Sequence, residues 1–371
     1  MLLDADLHIH SRFSIASSRS MVPASILAGC RRKGIAAVGS GDALHGAWRE
    51  MWREAPGGGG VLVIPSAEVE DRDRVHHLIL AESFGIFGDL ARRLSSSTPS
   101  IATMGRPHVR LPGEEIAREV HGAGGLIGPA HAFTPWTALY ASFDHVRDCY
   151  GEERPDFLEL GLSADSSYGA GISELRGIPF LTNSDAHSPS PAKLGREFNR
   201  IEAPVLTERA VLGAIREDGI RMNAGFFPEE GKYNRTACTR CYRQFTLAEA
   251  VRLSWRCPDD GGLLKKGVSD RARELSDMPG EPRPPYLHLI PLAEILQRVL
   301  GTSSPNTKKV ALLYDAFLGA FGNEIRVLVD VPEEEIRELH PGAGDAIARL
   351  RTGRVELFPG GGGRYGRFSF G

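Results

Sequence analysis

The sequence predicts an α/β fold with parallel strands, followed by a small cysteine module and a helical C-terminal region. The first 231 residues alternate short apolar runs with helix-like segments, which is the pattern of a β/α fold. Three of the five cysteines lie between residues 238 and 257, as in a metal-binding module. Helix-like apolar patterns then follow the Pro-rich segment 278–285, which we interpret as a domain boundary.

The composition excludes several classes of protein. Hydrophobic residues make up 42% of the 371 residues and charged residues 25%, which is typical of a chain with a real core rather than a disordered or collagen-like one. No apolar run approaches the roughly 18 residues of a membrane span. The N-terminus carries acidic residues where a signal peptide would be positive. We therefore expect a cytoplasmic, intracellular protein with no membrane partner.

The charges are unevenly distributed. Residues 1–231 carry 23 Lys and Arg against 30 Asp and Glu, and they hold ten of the twelve histidines. The segment 232–273 carries ten basic residues against four acidic ones. This asymmetry predicts bound cations in the first part of the chain and contact with polyanions in the second.

The elements can be placed from apolar runs and from helix start and stop signals. Seven strands are predicted, at Leu2–Ile9, Ile35–Gly39, Val61–Pro65, Val75–Ala81, Leu126–Gly128, Phe157–Leu160 and Pro179–Leu181. Helices are predicted at Pro23–Lys33, Gly113–Gly122, Glu208–Asp218, Leu287–Leu300 and Val310–Phe321, with a strand at Ile325–Val331 and a helix–turn–helix segment at Glu333–Arg351.

Histidines and carboxylates follow several of these strands. His8 and His10 lie two apart and would point to the same face, where they can chelate one ion. Glu68, His131 and the Asp185-Ala-His187 string end three other strands. In a parallel barrel the carboxyl ends of the strands meet at one face, so these side chains would converge there. Such a ligand set suits zinc, manganese or iron, and it predicts a site for more than one ion.

Four residues near this set are open to more than one interpretation. His76 and His77 are adjacent in a strand, so only one can face the site, and we choose His77. Asp42 ends a strand and would bind a third ion or cap a helix. His45 lies in the loop that follows, and its role is left open.

The order Asp-x-His-x-His, Glu, His, His and Ser-Asp-Ala-His resembles the PHP (polymerase and histidinol phosphatase) superfamily. That resemblance implies a distorted seven-stranded (β/α) barrel with two or three divalent ions (Zn, Mn, Mg or Fe). Longer strings resemble the endonuclease Q family, PHP nucleases that cut DNA 5′ of hypoxanthine, uracil, xanthine or an abasic site. These strings are Asp4–Ser11, Gly128–Trp136, Leu158–Asp165, Asn183–Pro189 and Leu194–Asn199.

The resemblance implies metal roles residue by residue. The first site would use His8, His10, Glu68 and Asp185; the second Glu68, His77 and His131; the third Asp42 and His187. Asp185, His187 and Glu68 are the predicted catalytic residues, with Asp185 or His187 taking part in proton transfer.

The cysteine module departs from the family pattern of two Cys pairs. Cys238-Thr-Arg-Cys241 is intact, but the second pair is Cys257-Pro-Asp-Asp260. A carboxylate can ligate zinc, so a structural zinc held by three Cys and one Asp is predicted. A metal-free ribbon is the alternative.

The C-terminal segment Ile336–Ala348 resembles a helix-hairpin-helix motif. Gly342 and Gly344 would let backbone N–H groups approach a DNA phosphate, with Arg349 and Arg351 nearby. An ordinary helical hairpin is the alternative. The family binds a sliding clamp through a C-terminal Gln-x-x-aliphatic-x-x-aromatic motif, and the last residues, 364–371, contain none, so we do not predict that partner.

The predicted function is a metal-dependent DNA repair endonuclease whose partner is DNA containing deaminated bases. Its domains would be a PHP catalytic domain (1–231), a zinc-ribbon-like module (232–277) and a helical DNA-binding domain (286–371). The target nucleotide would flip out of the duplex. The residues predicted to receive it are Phe133, Trp136, Tyr140, Ser163, Asp165 and Ser166. The alternatives are a small-molecule phosphoesterase and a non-catalytic DNA-binding protein.

Overall fold

The structure is a computed structural model that describes residues 1–55 and 57–370. Its strands are β1 (Leu2–Asp6), β2 (Ala37–Gly39), β3 (Leu62–Ile64), β4 (Ser66–Glu70), β5 (His76–Leu80), β6 (Leu126–Pro129), β7 (Leu158–Glu159), β8 (Phe180–Leu181), β9 (Phe198–Glu202), β10 (Ile220–Gly225), β11 (Ala237–Cys238), β12 (Leu264–Lys265), β13 (Tyr286–His288), β14 (Glu356–Phe358) and β15 (Arg367–Ser369).

The helices include two that match their predicted bounds residue for residue. They are α1 (Pro23–Lys33), α2 (Gly46–Arg53), α3 (Phe84–Leu94), α4 (Gly113–Gly122), α5 (Leu139–Ser142), α6 (Val146–Tyr150), α7 (Ser166–Ala170), α8 (Glu208–Arg216), α9 (Leu247–Arg252), α10 (Val268–Leu275), α11 (Leu292–Val299), α12 (Lys308–Phe321), α13 (Glu333–Leu339) and α14 (Pro341–Arg351). Within the described chain, no helix combines the length and the apolar character needed to cross a bilayer.

The strands form a mixed α/β fold rather than one parallel sheet. A six-stranded sheet has the order β13-β10-β9-β1-β2-β3, in which β1, β2 and β3 run parallel and β9 runs antiparallel to both of its neighbours. A second sheet, β4-β5-β6, is antiparallel, and β7 pairs with β8 in parallel. All seven predicted strands are present. The hydrogen-bonded ladders of the described strands do not form a continuous seven-stranded barrel.

Helix α1 shows why its bounds were predictable. It begins with Pro23 in the first turn and ends at Gly34, whose φ of 99° is favourable for glycine and costly for other residues. Its last turn carries basic side chains that complement the helix dipole. Ile26 and Leu27 on its inner face are buried in the core.

The C-terminal region differs from its prediction in two places. Strand β13 pairs with β10, so the segment after the Pro-rich linker joins the large sheet before helix α11 begins at Leu292. The predicted strand Ile325–Val331 is wrong, because Arg326–Asp330 is a π-helical turn. A short apolar run does not distinguish strand from buried helix, and Val327 and Leu328 are buried here against the neighbouring helices.

A buried ion pair joins the C-terminal helices to the α/β region. The Lys33 ammonium at the end of α1 lies 2.7 Å from the Glu324 carboxylate, and both side chains are buried. The same carboxylate accepts hydrogen bonds from the Tyr314 hydroxyl and the Leu292 backbone N–H. Removing one partner of such a pair costs roughly 3–5 kcal/mol. The C-terminal helices are therefore fixed against the first part of the chain.

A second buried carboxylate, Glu197, forms no ion pair with any residue that the structure describes. Its Oε1 atom accepts a hydrogen bond from the Phe226 backbone N–H, and its Oε2 atom has no partner among the residues described. Burial raises the pKa of Glu197 from 4.5 to about 8, against the lowering effect of the Phe226 hydrogen bond. The fold thus favours the protonated carboxyl group.

We predict that Glu197→Gln removes part of the pH dependence of stability. The stability held by the protonated group is fully present below pH 4.5 and is lost as the pH rises through about 8. Between pH 5 and pH 9 the unfolding free energy of the natural chain should fall relative to the variant by roughly 3–5 kcal/mol. Urea unfolding at both pH values measures this change. An equal difference between the two proteins at pH 5 and at pH 9 would contradict the assignment.

Candidate metal centre

The first group of ligand side chains is His8, His10 and Asp185. The Nε2 atom of His10 lies 3.0 Å from Oδ1 of Asp185, and Nε2 of His8 lies 3.8 Å from the same oxygen. All three atoms are buried without a hydrogen-bond partner in the structure. Ligands at about 2.1 Å from a tetrahedral ion lie about 3.4 Å from one another. The three orphaned atoms therefore fit the coordination of one cation.

The second group is Glu68, His76 and His131. The Oε1 atom of Glu68 lies 2.8 Å from Nδ1 of His76 and 3.0 Å from Nε2 of His131, and the two nitrogens are 3.3 Å apart. The other oxygen, Oε2, lies 3.4 Å from Nε2 of His10. Glu68 thus stands between the two groups, in the position of a carboxylate that bridges two ions.

The choice of His77 over His76 is corrected by the structure. On β5 successive side chains point to opposite faces, and it is His76 that lies beside Glu68. His77 points away, with Nε2 3.0 Å from Asp71 and Nδ1 2.7 Å from the Tyr150 hydroxyl. The apolar residues after His77 were not informative, because β5 is buried on both faces.

Asp42 lies behind a histidine rather than among the ligand groups. Its Oδ1 accepts a hydrogen bond from Nδ1 of His10 at 3.1 Å, and its Oδ2 accepts bonds from Ser11 and Ser14. It belongs to no group of three or more potential ligands in residues 1–55 and 57–370. The helix cap proposed as its alternative is supplied by His45, whose Nδ1 accepts from the Trp48 N–H at the start of α2. The binding of a third ion by Asp42 and His187 stays a prediction.

Three histidines contact a carboxylate through the ring nitrogen that points away from the ligand groups. Glu159 lies 2.9 Å from Nδ1 of His8, Asp42 has the contact to His10 described above, and Glu70 lies 3.1 Å from Nε2 of His76. Metal-ligating histidines commonly donate their second N–H to a carboxylate, which fixes the tautomer and the ring orientation. Sequence reasoning missed Glu159 and Glu70. The position of Glu159 at the end of β7 was the one available signal.

The charges of the centre favour a bound cation. Burial lowers the pKa of His8, but the carboxylates of Glu159, Glu68 and Asp185 outweigh burial and raise it to about 9. Buried carboxylates therefore hold a positive charge on an imidazole that would otherwise be neutral. A divalent ion can supply that charge. Together with the orphaned ligand atoms, this makes the centre a divalent metal site.

The loops that carry these ligands hold strained backbone. Asp42, His131 and Asp185 have φ values of 49°, 33° and 46°, in a region that side chains other than glycine seldom adopt. Asp185 is held there by its neighbour, since the N–H and hydroxyl of Ser184 both donate to buried Asp6. Such backbone strain is common at active sites, where it holds functional side chains in a required orientation.

His187 lies at the edge of the centre rather than within a ligand group. Its Nδ1 donates a hydrogen bond to the Asp185 carbonyl oxygen at 3.0 Å, and its ring centre is 4.3 Å from that of His10. Burial and the neighbouring His10 lower the pKa of His187. Its ring lines a cavity of about 380 Å³ that opens onto the metal centre.

Only two of the six residues predicted to receive a base line this cavity. Trp136, which is 43% exposed, and Ser163 do so. Phe133 and Tyr140 are buried in the core, and the Tyr140 hydroxyl bonds to Glu174, so these two assignments are corrected. Asp165 and Ser166 begin helix α7, where Asp165 caps the helix and accepts from His288.

Several cationic and aromatic residues of the cavity were not found from the sequence. The Arg106 guanidinium lies 3.0 Å from Oε2 of Glu68, and it comes from a loop without a recognisable motif. Arg196, Lys232, Tyr233 and Tyr365 also line the cavity. They come from segments that are distant in sequence, so no local pattern could have grouped them.

The cysteine module brings its four predicted ligands together. The sulfur atoms of Cys241 and Cys257 are 3.7 Å apart, and Cys238 Sγ lies 3.4 Å from Oδ1 of Asp260. Ligand atoms of all four residues lie within 4.8 Å of one another. These separations match those around a tetrahedral zinc with bonds of about 2.3 Å to sulfur.

The glycines of the C-terminal motif have different surroundings. Both lie inside α14, which begins after its cap residue His340. A Cβ at Gly344 would collide with the backbone of Arg337 in α13, so this glycine serves the close packing of the two helices. Gly342 borders a separate open cavity together with Arg349. Arg351 instead donates to the carbonyl oxygens of Val327 and Leu328 and holds the π-helical turn.

Comparison with known proteins gives strong matches over the whole chain. The lesion-specific endonuclease PfuEndoQ from Pyrococcus furiosus is 45% identical, with a TM-score of 0.94 over 99% of this chain and 95% of that one. An endonuclease Q complex with a 27-mer duplex substrate carrying an abasic lesion at the active site gives 45% identity and a TM-score of 0.96, over 100% and 97% of the two chains.

Two curated relatives agree with these structures. The Bacillus subtilis protein YqxK is 32% identical, and the match covers 98% of both chains. The Methanocaldococcus jannaschii protein MJ0043 is 46% identical over 65% of this chain, which spans only 31% of that longer relative. Residues 291–354 match the family described as the MJ0043 C-terminal domain.

A divalent metal centre in this α/β fold, with such relatives, is that of a metal-dependent phosphodiester hydrolase, and the enzyme is a nuclease. At 45% identity over nearly the full length of both chains, the protein belongs to the endonuclease Q family.

We predict that His76→Gln weakens manganese binding, whereas His77→Gln lowers the stability of the fold. His76→Gln removes a nitrogen ligand beside Glu68 and should lower the affinity for manganese at least about tenfold, with little change in melting temperature. His77→Gln breaks a buried network with Asp71 and Tyr150 and should lower the melting temperature while manganese binding stays as in the natural chain. Equilibrium dialysis with manganese and thermal unfolding measure the two effects. Loss of manganese binding in His77→Gln alone would reverse our assignment.

Proposed function

We propose that this enzyme is a DNA repair endonuclease that hydrolyses the phosphodiester 5′ of a deaminated base (hypoxanthine, uracil or xanthine) or of an abasic site. The observation that carries the proposal is the position of Glu68, which lies beside His76 and His131 on one side and His10 on the other. An open cavity lies over this centre and is lined by His76, His131 and Asp185. The likeness to an endonuclease Q complex with abasic duplex DNA supports DNA as the substrate.

Two divalent ions would be held by the chain. His8, His10 and Asp185 would bind one, His76 and His131 the other, and Glu68 would contact both. Zinc, manganese, magnesium and iron are the candidates. Such ions, when bound, lower the pKa of a coordinated water and stabilise the charge on the leaving oxygen.

The remaining residues of the centre bind the phosphate and move protons. Because Nδ1 of His187 donates to a backbone carbonyl, its Nε2 carries the lone pair and can accept a proton at the cavity edge. Arg106 is part-exposed beside Glu68 and can hold a phosphate oxygen with its second N–H group. Arg196 lines the same cavity, where it can neutralise a neighbouring phosphate.

The cavity has a size that suits one nucleotide. Its volume of about 380 Å³ is at the lower end of the range for small-molecule sites. A nuclease that reads a base within a duplex must extrude that nucleotide, and mismatched or missing bases lower the cost. Trp136 offers a ring for stacking, and the Ser163 hydroxyl can hydrogen-bond to a base edge.

The basic second half of the chain would bind the DNA backbone. Its proposed units are the zinc-ribbon-like module (232–277), with zinc on Cys238, Cys241, Cys257 and Asp260, and the helical region (286–371) after the catalytic domain (1–231). Gly342 and Arg349 border an open cavity on that helical region and are the proposed phosphate contacts.

We predict that Asp185→Asn abolishes nicking while DNA binding persists. The change removes a negative ligand and keeps the shape of the side chain, so nicking should fall at least about 100-fold while duplex affinity stays within about twofold. Asp89→Asn is the matched control, because Asp89 is an exposed carboxylate on α3 that belongs to neither ligand group and does not line the cavity.

The assay uses manganese and three substrates. They are a labelled duplex with one deoxyinosine, the same duplex undamaged, and p-nitrophenyl phosphate. Nicking only of the inosine duplex by the natural chain supports the proposal. Turnover of p-nitrophenyl phosphate without nicking, or full activity of Asp185→Asn in excess manganese, would contradict it.

A further inference from the structure

The loop between β14 and β15 reaches the mouth of the catalytic cavity. We call residues 360–366 the glycine strap, because five of its seven residues are glycine. Its backbone is hydrogen-bonded to the segment that follows β10. Gly360 and Gly366 donate to Glu229 and Glu230, and Gly363 donates to the Lys232 carbonyl oxygen at 3.0 Å. The strap is thus tied to the cavity wall.

The glycines are required by this close approach. A Cβ at Gly362 would collide with the Cys238 carbonyl, and one at Gly366 would collide with the Glu229 carbonyl oxygen. Gly362 also has a φ of 65°. The strap therefore packs against both the cavity wall and the cysteine module, in a conformation that larger residues would prevent.

The strap presents one aromatic side chain to the cavity. Tyr365 lines the cavity and is 53% exposed, and its hydroxyl has no hydrogen-bond partner in the described chain. The Lys232 ammonium lies 5.6 Å from the centre of its ring and 5.5 Å from that of Tyr233. The Tyr233 ring is 6.4 Å from Trp136. Three aromatic rings thus form a row along the cavity wall.

Cations accompany this row without carboxylate partners. Lys232 forms no ion pair with a carboxylate anywhere in residues 1–55 and 57–370, and neither does Lys265, whose ammonium lies 3.6 Å from the centre of the Trp136 ring. Aromatic faces beside free ammonium groups are typical of sites that bind single-stranded nucleotides, where the rings stack on bases and the cations hold phosphates.

We propose that Tyr365 is a specificity-determining residue that stacks on the nucleobase entering the cavity and positions it for cleavage. This inference rests on the proposed function and identifies the side chain that would contact the base in the catalytic cavity. The Tyr365 side chain is half in solvent and fills no core space, so a purely structural role would leave catalysis unchanged when the ring is removed. Lys232 would hold a phosphate of the same nucleotide.

The proposal separates two classes of lesion. An extruded inosine or uracil presents a ring on which Tyr365 can stack, whereas an abasic site presents none. Removal of the ring should therefore slow cleavage at a deaminated base and leave cleavage at an abasic site nearly unchanged. A general loss of DNA binding would slow both.

The experiment compares Tyr365→Ala, Tyr365→Phe and the control Val205→Ala in the full chain loaded with manganese. Val205 lies between β9 and α8, has the same exposed fraction as Tyr365 (53%), and does not line the catalytic cavity. Single-turnover rates are measured on two duplexes of one sequence that carry deoxyinosine or a tetrahydrofuran abasic analogue. Tyr365→Ala should slow the inosine duplex roughly tenfold and the abasic duplex less than twofold. Tyr365→Phe, which keeps the ring, and Val205→Ala should match the natural chain on both duplexes.

Each other outcome is decisive. An equal loss on both duplexes, or no loss on either, overturns the stacking role of Tyr365. A natural chain that nicks only the abasic duplex also overturns it, because no base is then recognised. A natural chain that nicks neither duplex refutes the proposed function itself, which distinguishes that failure from the failure of this inference.

Discussion

The concentration of buried carboxylates and imidazoles around Glu68 is the constraint on which the rest of the structure depends. Isolated charges are costly to bury, and here they are buried against one another with ligand atoms left unpaired. Bound divalent ions would offset the free-energy cost of burying these charges, because they would pair with the unpaired ligand atoms. The carboxylates behind His8, His10 and His76 belong to the same arrangement, because each fixes the ring that faces the centre.

Several elements of the fold position the residues of this centre. The ligands and the carboxylates that contact them lie on β4, β5 and β7 and in the segments that follow β1, β2, β6 and β8. Asp42, His131 and Asp185, in three of those segments, have positive φ angles. The Lys33–Glu324 pair fixes the C-terminal helices to α1. The glycine strap carries the end of the chain back to the cavity. The second half of the protein thus helps to build the catalytic cavity, which Lys232, Tyr233 and Tyr365 line.

Much of the centre could be predicted from the sequence, because strand ends carry its ligands. His8, His10, His131 and Asp185 follow strands, as predicted, and they meet Glu68, which lies within β4, a strand that the sequence pattern did not predict. The choice of His77 was wrong because β5 is buried on both faces, so its sequence shows no alternation of polar and apolar residues. Asp42 resembled a ligand in sequence, but its two oxygens are used by His10, Ser11 and Ser14. Tyr365 and Lys232 lie close together only because the strap packs against the cavity wall, so no local sequence pattern could have grouped them.

The position of bound ions is the most direct test of the central claim. Crystals soaked in manganese and measured at the manganese absorption edge would show anomalous density at each ion. The account predicts two peaks that share Glu68, one beside His8, His10 and Asp185 and one beside His76 and His131. Density beside Asp71 and His77 instead, or no peak in contact with Glu68, would contradict it.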